Sequence, residues 1–232
     1  MARISKDPDE RRSELIEGAQ ALFYSKGYEN TSVSDIVNAV GVAKGTFYYY
    51  FDSKMAILEA MVDEIISYAV ATIQEIADDD SLSASEQWAR AFAVINRFKA
   101  ARKNDFLELA RVLYCDENTL LLQKLKERSL AMATQEFGRI VRHGVTESVF
   151  DTAYPLEAAR NVLAVAYAMS EQLADPLLAP EKFADPAAHA RRLVAAAQEA
   201  IERILGAAPG SLPLIDEPSI ATWFGSVEEI GK

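Results

Sequence analysis

The chain has 232 residues, half of them hydrophobic, a formal charge of −11 and a single cysteine. That apolar fraction can bury a core and excludes a disordered chain, while a lone Cys115 excludes an intramolecular disulfide. No N-terminal stretch reads as a leader and no run reaches about 18 uncharged apolar residues, so the expectation is a cytoplasmic protein without a membrane span.

The first predicted helix opens at Asp7-Pro8-Asp9-Glu10, with an acidic N-cap followed by proline at the first helical position. Leu15, Ile16, Ala19, Leu22 and Phe23 form its buried face, and Gly27 ends it. Next, Val33, Ile36, Val37 and Val40 recur at helical spacing behind a Ser32/Asp35 capping pair, and Gly41 supplies the stop. A helix from Ala43 to Tyr50 follows after this Gly turn, which is the helix-turn-helix pattern. Val42, Phe47 and Phe51 are expected to point inward. Lys44, Gly45, Thr46, Tyr48 and Tyr49 are then free to meet a DNA major groove. The tyrosines Tyr48 and Tyr50 suit phosphate oxygens, which position without specifying sequence. Ser53 reads as the N-cap of the next helix, with Lys54 beside it as a further cation for a phosphate.

The segment LIEGAQALFYSKGYENTSVSDIVNAVGVAKGTFYYYFDSKMAIL, together with its flanks from Arg11 to about Glu64, resembles the DNA-binding domain of TetR-family one-component repressors. The matching register runs through Gly27-Tyr28, Thr31-Ser32-Val33, Gly41-Val42, Gly45-Thr46-Phe47-Tyr48, Phe51 and Ser53-Lys54. The resemblance implies that Ser32, Ser34, Lys44, Gly45, Thr46, Tyr48, Tyr49, Tyr50 and Lys54 line the DNA face. Ala43 departs from the family, which often has a polar residue there, as do Met55 and Ala56 after the lysine. Residues 1–55 hold seven Lys or Arg and eight Asp or Glu, so ten of the eleven net negative charges fall outside this head. Arg3, Lys6, Arg11 and Arg12, with Lys44 and Lys54, give the head a local basic face suited to selective operator binding.

Beyond Ser53 a long helix is predicted to about Asp78, where Asp78-Asp79-Asp80 breaks it. Further helical patterns cover Ser83 to Arg102, Asn104 to Tyr114 and Glu117 to His143, with Gly144 and Val149 to Tyr154 interrupting. Pro155 opens a helix to about Ala174, DPLLAPEKFADP reads as a loop, and a last long helix spans Ala187 to Leu205. No strand is predicted. The fold class is all-α: a three-helix DNA-binding domain over residues 1–55, a larger helical ligand-binding and dimerisation domain over 56–206, and an irregular tail over 207–232. Cys115 is expected to be buried and inert.

Two late stripes, Ala158, Ala159, Val162, Ala166 and Met169, and Leu193, Ala197, Ala200, Ile201 and Ile204, have the small residues that close helix packing needs. They suit a subunit interface or packing within one subunit; the resemblance favours a homodimer through the last two long helices on a palindromic operator. Trp88, Phe92, Phe98, Phe106, Tyr114, Met132, Phe137 and Tyr167 are ordinary core residues taken singly. In the family the corresponding helices surround a small-molecule cavity, and these apolar walls imply a mostly hydrophobic effector, with Asn96, Gln135, Arg139 and Glu171 as polar contributors. Control by a protein partner, or activation in place of repression, would leave the same N-terminal pattern. An enzyme is the remote alternative: His143 and His189 lack metal-ligand spacing, and no phosphate loop or nucleophile motif occurs, so no metal or cofactor is expected.

Overall fold

The computed structural model describes residues 7–225, and among them every regular element is helical. Ten α-helices follow in order: α1 Pro8–Lys26, α2 Val33–Val40, α3 Lys44–Tyr50, α4 Lys54–Ala77, α5 Ala84–Ala101, α6 Lys103–Leu113, α7 Thr119–Thr146, α8 Pro155–Leu178, α9 Pro186–Leu205 and α10 Glu217–Phe224. Short 3-10 turns at Asp116–Asn118 and Pro180–Lys182 precede α7 and follow α8. Side-chain caps explain many of the starts. The Asp7 carboxylate accepts from the Asp9 N–H, Ser53 from Ala56, and Asp185 from Ala188, while Ser32/Asp35 and Ser83/Glu86 form reciprocal capping boxes.

Two apolar clusters hold the chain together. The first joins α1–α3 to the first half of α4 and continues into α6 and α7 through Leu113, Leu121 and Leu125. The second gathers the far end of α4, with α5, α7, α8, α9 and the segment after α9. The head's cluster therefore does not stop at residue 55: Ile57, Leu58, Met61 and Val62 of α4 belong to it.

A polar network closes the body where α4 ends and α5 begins. The buried Gln87 amide donates to the carbonyls of Ala77 and Asp79, and its oxygen faces His143 Nδ1 at 3.0 Å. Since the Gln87 nitrogen is already a donor, its oxygen must accept, so His143 Nδ1 carries a proton. The other ring nitrogen lies 3.4 Å from Glu147, whose second oxygen accepts from the Ala84 N–H. His143 thus ties three helices together rather than serving only the end of its own.

Several elements depart from the sequence expectation. Helix α7 does not stop at His143 but runs through Gly144 to Thr146. Gly144 is a point of close approach: a Cβ there would lie 2.1 Å from Phe150 Cδ2, so the missing side chain lets the buried Phe150 ring rest on the helix. Helix α8 likewise passes Ala174 and contains Pro176, which is buried in the last turn, where the loss of one N–H costs a single bond. The segment after Gly206, expected to be irregular, carries α10 and places Leu212, Leu214 and Ile220 in the body's core. Finally, Ala158, Ala159, Val162 and Met169 of α8 and Ala197 and Ile201 of α9 are buried inside the subunit, so those stripes form its own packing. Cys115 is half-buried, its thiol bonded to the Val112 carbonyl and its sulfur accepting from Asn118.

Because a Cβ at Gly144 would overlap the buried Phe150 ring, Gly144→Ala is expected to lower unfolding free energy by roughly 1–3 kcal/mol, read as a lower midpoint in thermal or urea unfolding.

Candidate nucleic-acid interface

The interface is built from α2, the Gly41 turn and α3. Gly41 adopts φ 72°, and the Val42 N–H turns back to Val37 O at 2.9 Å, which sets the angle between the two helices. Phe47 is sealed at 0% exposure and packs edge-on to Tyr48 and against Phe51. With that face inward, α3 presents Lys44, Gly45, Tyr48 and Tyr49 to solvent, the two tyrosines 49% and 77% exposed. Thr46 is half-buried. Tyr50 also turns partly inward, onto the head cluster and edge-on to the Tyr49 ring. Ala43 caps α3 without a side-chain bond, and the Thr46 N–H of the first turn returns to Ala43 O at 2.9 Å.

On α2, Ser34 is exposed, whereas the Ser32 hydroxyl is bonded to Asp35 at 2.7 Å. Asp35 also takes Lys26 at 2.9 Å and the Ser32 N–H at 2.8 Å. The Lys26 bond first, then the two from Ser32, hold the Asp35 carboxyl far below the usual carboxylate range. Lys54 is committed within the protein as well: its amine donates to Tyr28 O at 2.8 Å and lies 4.0 Å over the Tyr28 ring. Burial, Glu29 and Cys115 push the Tyr28 phenol up to about 12, so it stays protonated. Arg12 sits over the Phe51 ring and faces Glu64, and Arg11 pairs with Glu14. Arg3 and Lys6 lie outside the described residues.

Tyr28 is the residue whose role the sequence left undefined. It packs edge-on to Phe23, holds Lys54 and lines a crevice with Leu58, Met61, Leu109 and Val112, where the head meets α6. Its only signal in the sequence was its place after Gly27.

The eight aromatic and apolar residues expected around an effector fall into two groups, with Phe98 among the partly covered ones. Trp88, Phe92 and Phe137 form a sealed ring cluster with centroids 5.0–5.7 Å apart. Phe106, Tyr114, Met132 and Tyr167 are only partly covered. Phe106 packs on Phe98, and Phe98 on Tyr68 of α4. Partial burial, together with Glu171 and Tyr167 nearby, pushes the Tyr114 phenol up to about 12. Tyr167 is bonded to Ser129, and Glu171 pairs with Lys126 at 2.7 Å. Asn96 donates to Leu214 O, Arg139 pairs with Asp78 and Glu136, and Gln135 is exposed.

Gly45 meets nothing within 4 Å where a Cβ would stand, and its backbone is ordinary helix. No packing inside the protein requires a glycine there, although glycine costs a helix roughly 0.5–1 kcal/mol relative to alanine. Gly45→Ala should therefore raise stability by about that amount and weaken DNA binding, in a paired unfolding and gel-shift measurement. For Asp35, a carboxyl held below its unfolded value contributes stability above the ordinary carboxylate pKa of about 4 and loses it as pH falls. Asp35→Asn should be the less stable protein at neutral pH, with the gap closing in thermal scans taken below about pH 4.

Comparison with known proteins places these features in context. The model of the family described as bacterial regulatory proteins, tetR family, matches residues 15–61. The transcriptional repressor KstR2 of Rhodococcus jostii is 46% identical over 56 residues, 24% of this chain and 26% of that protein. Sequence similarity to that relative thus spans about a quarter of its length. A TetR/AcrR-family regulator from Thermobifida fusca aligns over 79% of this chain and 94% of its own, at 25% identity and a TM-score of 0.54. SmeT, the repressor of a multidrug efflux pump of Stenotrophomonas maltophilia, shares the fold over 87% of this chain and 95% of its own, at 16% identity and a TM-score of 0.57, and has also been solved with triclosan.

Proposed function

The chain belongs to the TetR family of bacterial regulatory proteins, and on that premise we propose that it binds a palindromic operator as a dimer, represses from it, and is released by a small, mostly hydrophobic effector. The observation that carries the DNA-binding part is α3: a short helix anchored by a sealed Phe47, with Lys44, Gly45, Tyr48 and Tyr49 exposed on its other face. In this reading Lys44 and Thr46 meet base edges or phosphates, Gly45 lets the backbone come close, and Tyr48 donates to a phosphate. Ser34 adds a phosphate contact, while Lys54 acts mainly by fixing the start of α4 against Tyr28.

Dimerisation uses the outward faces of α8 and α9, where Ala164, Ala195 and Ala196 are exposed and small enough for close helix approach. A two-fold dimer presents two α3 helices to half-sites one turn apart. DNA binding also makes the cytoplasm the compartment, and no helix among the described residues is long and apolar enough to cross a membrane.

Release follows as a population shift: the effector binds better to a conformer whose heads do not match the operator. Two routes reach the head. Helix α4 runs from one apolar cluster into the other, and α6 packs Leu109, Val112 and Leu113 into the head beside Tyr28. The triclosan complex of SmeT supports a small apolar ligand in this fold.

Selection of bound sequences from random duplexes tests the reading. Wild type should yield a palindromic consensus. Tyr48→Phe should weaken binding without altering that consensus, and Lys44→Ala should reduce the salt slope by about one. Absence of any enriched sequence would defeat it.

A further inference from the structure

Among the described residues Tyr49 is the most exposed large hydrophobic side chain, at 77%, and its position on α3 is central. Viewed down the helix, Lys44 and Tyr48 flank one side of the exposed face and Thr46 the other. Gly45 and Tyr49, four apart, run down the middle. Phe47 and Phe51 close the opposite side.

The two central positions offer different things. Where a Cβ of Gly45 would stand, no atom beyond its chain neighbours and its own turn of backbone lies within 4 Å, so neither the Tyr48 nor the Tyr49 ring covers the spot. Helical side chains lean toward the N-terminus, so the Tyr49 ring stands beside the turn that contains Gly45. The pair therefore makes a notch, with a bare Cα for its floor and an aromatic ring for its wall. The wall is supported from behind. Tyr50 meets the Tyr49 ring edge-on, with centroids 4.8 Å apart at 88°, and Tyr50 itself packs onto the head cluster. A tyrosine has only two side-chain torsions to fix, so one edge-on contact goes far toward holding it.

Floor and wall are apolar. A base edge that pointed a donor or acceptor into the notch would lose water without gaining a bond. Of the groups that the base pairs display in the major groove, the thymine 5-methyl is the apolar one. A methyl carbon also needs room, since carbon atoms in contact lie about 3.5–4.0 Å apart. The missing side chain at Gly45 leaves that room, which an alanine would fill.

We propose that Gly45 and Tyr49 form a notch for the 5-methyl group of one thymine in each half-site, and that Tyr50 is a positioning residue that holds the Tyr49 ring as its wall. The proposal rests on the DNA-binding reading above and narrows it to what one pair of positions on α3 can read.

Operator duplexes taken from the selected consensus, with each thymine replaced in turn by deoxyuridine, isolate the methyl group, because the hydrogen-bonding edge of the base is unchanged. Full-length wild type should bind about fourfold more weakly when the notch thymine of one half-site is replaced and about fifteenfold when both symmetry-related thymines are, the scale of one buried methyl each. The thymine-to-uracil ratio is taken within each variant, so a general loss of affinity or stability cancels. Tyr49→Phe should keep the ratio, because the ring is the wall. Tyr49→Ala and Gly45→Ala should abolish it, one by removing the wall and the other by filling the floor. Tyr50→Leu should reduce it, and Tyr50→Phe, which keeps the supporting ring, should restore it. The notch is overturned if wild type binds the consensus and no thymine replacement weakens it. It is overturned as well if the ratio survives Tyr49→Ala, which gives the methyl to Thr46, or if Tyr49→Phe loses it, which gives the contact to the hydroxyl. A ratio untouched by Tyr50→Leu overturns the positioning role. Wild type that binds no duplex at all overturns the DNA-binding reading and the notch with it.

Discussion

Helix α4 is a single rod with its two halves in different cores. Ile57, Leu58, Ala60, Met61 and Val62 belong to the head, and Ile73 belongs to the body. A helix of 24 residues is about 36 Å long and bends only at a cost. Its two ends therefore cannot be repacked independently. The Lys54 bond to Tyr28 fixes the near end, and the Gln87 network fixes the far end through the carbonyls of Ala77 and Asp79. The angle at which α3 faces a duplex follows from how this rod is held. The contact of α6 with Tyr28 supports the rod near its near end.

Much of this architecture was legible in the sequence because its causes are local. A serine three residues ahead of an acid makes a capping box whatever lies beyond, as at Ser32/Asp35. Phe47 and Phe51, four apart, point to one side of a short helix, and both are buried. The orientation of α3 follows from that pair and the Gly41 turn. What was not legible depends on partners distant in sequence. Gly144 reads as a helix stop until Phe150 lies against it, and Pro176 reads as a loop until the last turn that contains it is buried. Periodicity tells which face of α8 is apolar but not whether another subunit or α7 covers it; here Ala158, Ala159 and Val162 are covered from within. The proposed ligand residues show the same limit. An aromatic at helical spacing is equally a wall or a filler, and the sealed contact of Trp88, Phe92 and Phe137 became apparent only in three dimensions.

The segment after α9 shows how far composition can mislead. Its prolines and glycines suggest an irregular end, yet the backbone there is held by donors from other helices: Asn96 to Leu214, Lys103 to Thr222. Glu202, buried in α9, takes two backbone N–H groups of the segment's first turn, and its carboxyl is held below the usual range by those bonds and by Gln198 despite burial acting the other way. A short apolar pattern, Leu212, Leu214 and Ile220, was enough to recruit this stretch to the core.

The placement of the two tryptophans gives the molecule an internal optical marker. Trp88 is sealed in the body among Phe92 and Phe137, while Trp223 rides on α10 beside the Lys103 ammonium. Indole emission shifts to the red as its surroundings become wetter, so the two residues report different events in one spectrum. Departure of α10 from α5 would wet Trp223 and leave Trp88 dry, whereas loss of the body's core would expose both. Emission colour thus separates movement of the last helix from melting of the domain beneath it.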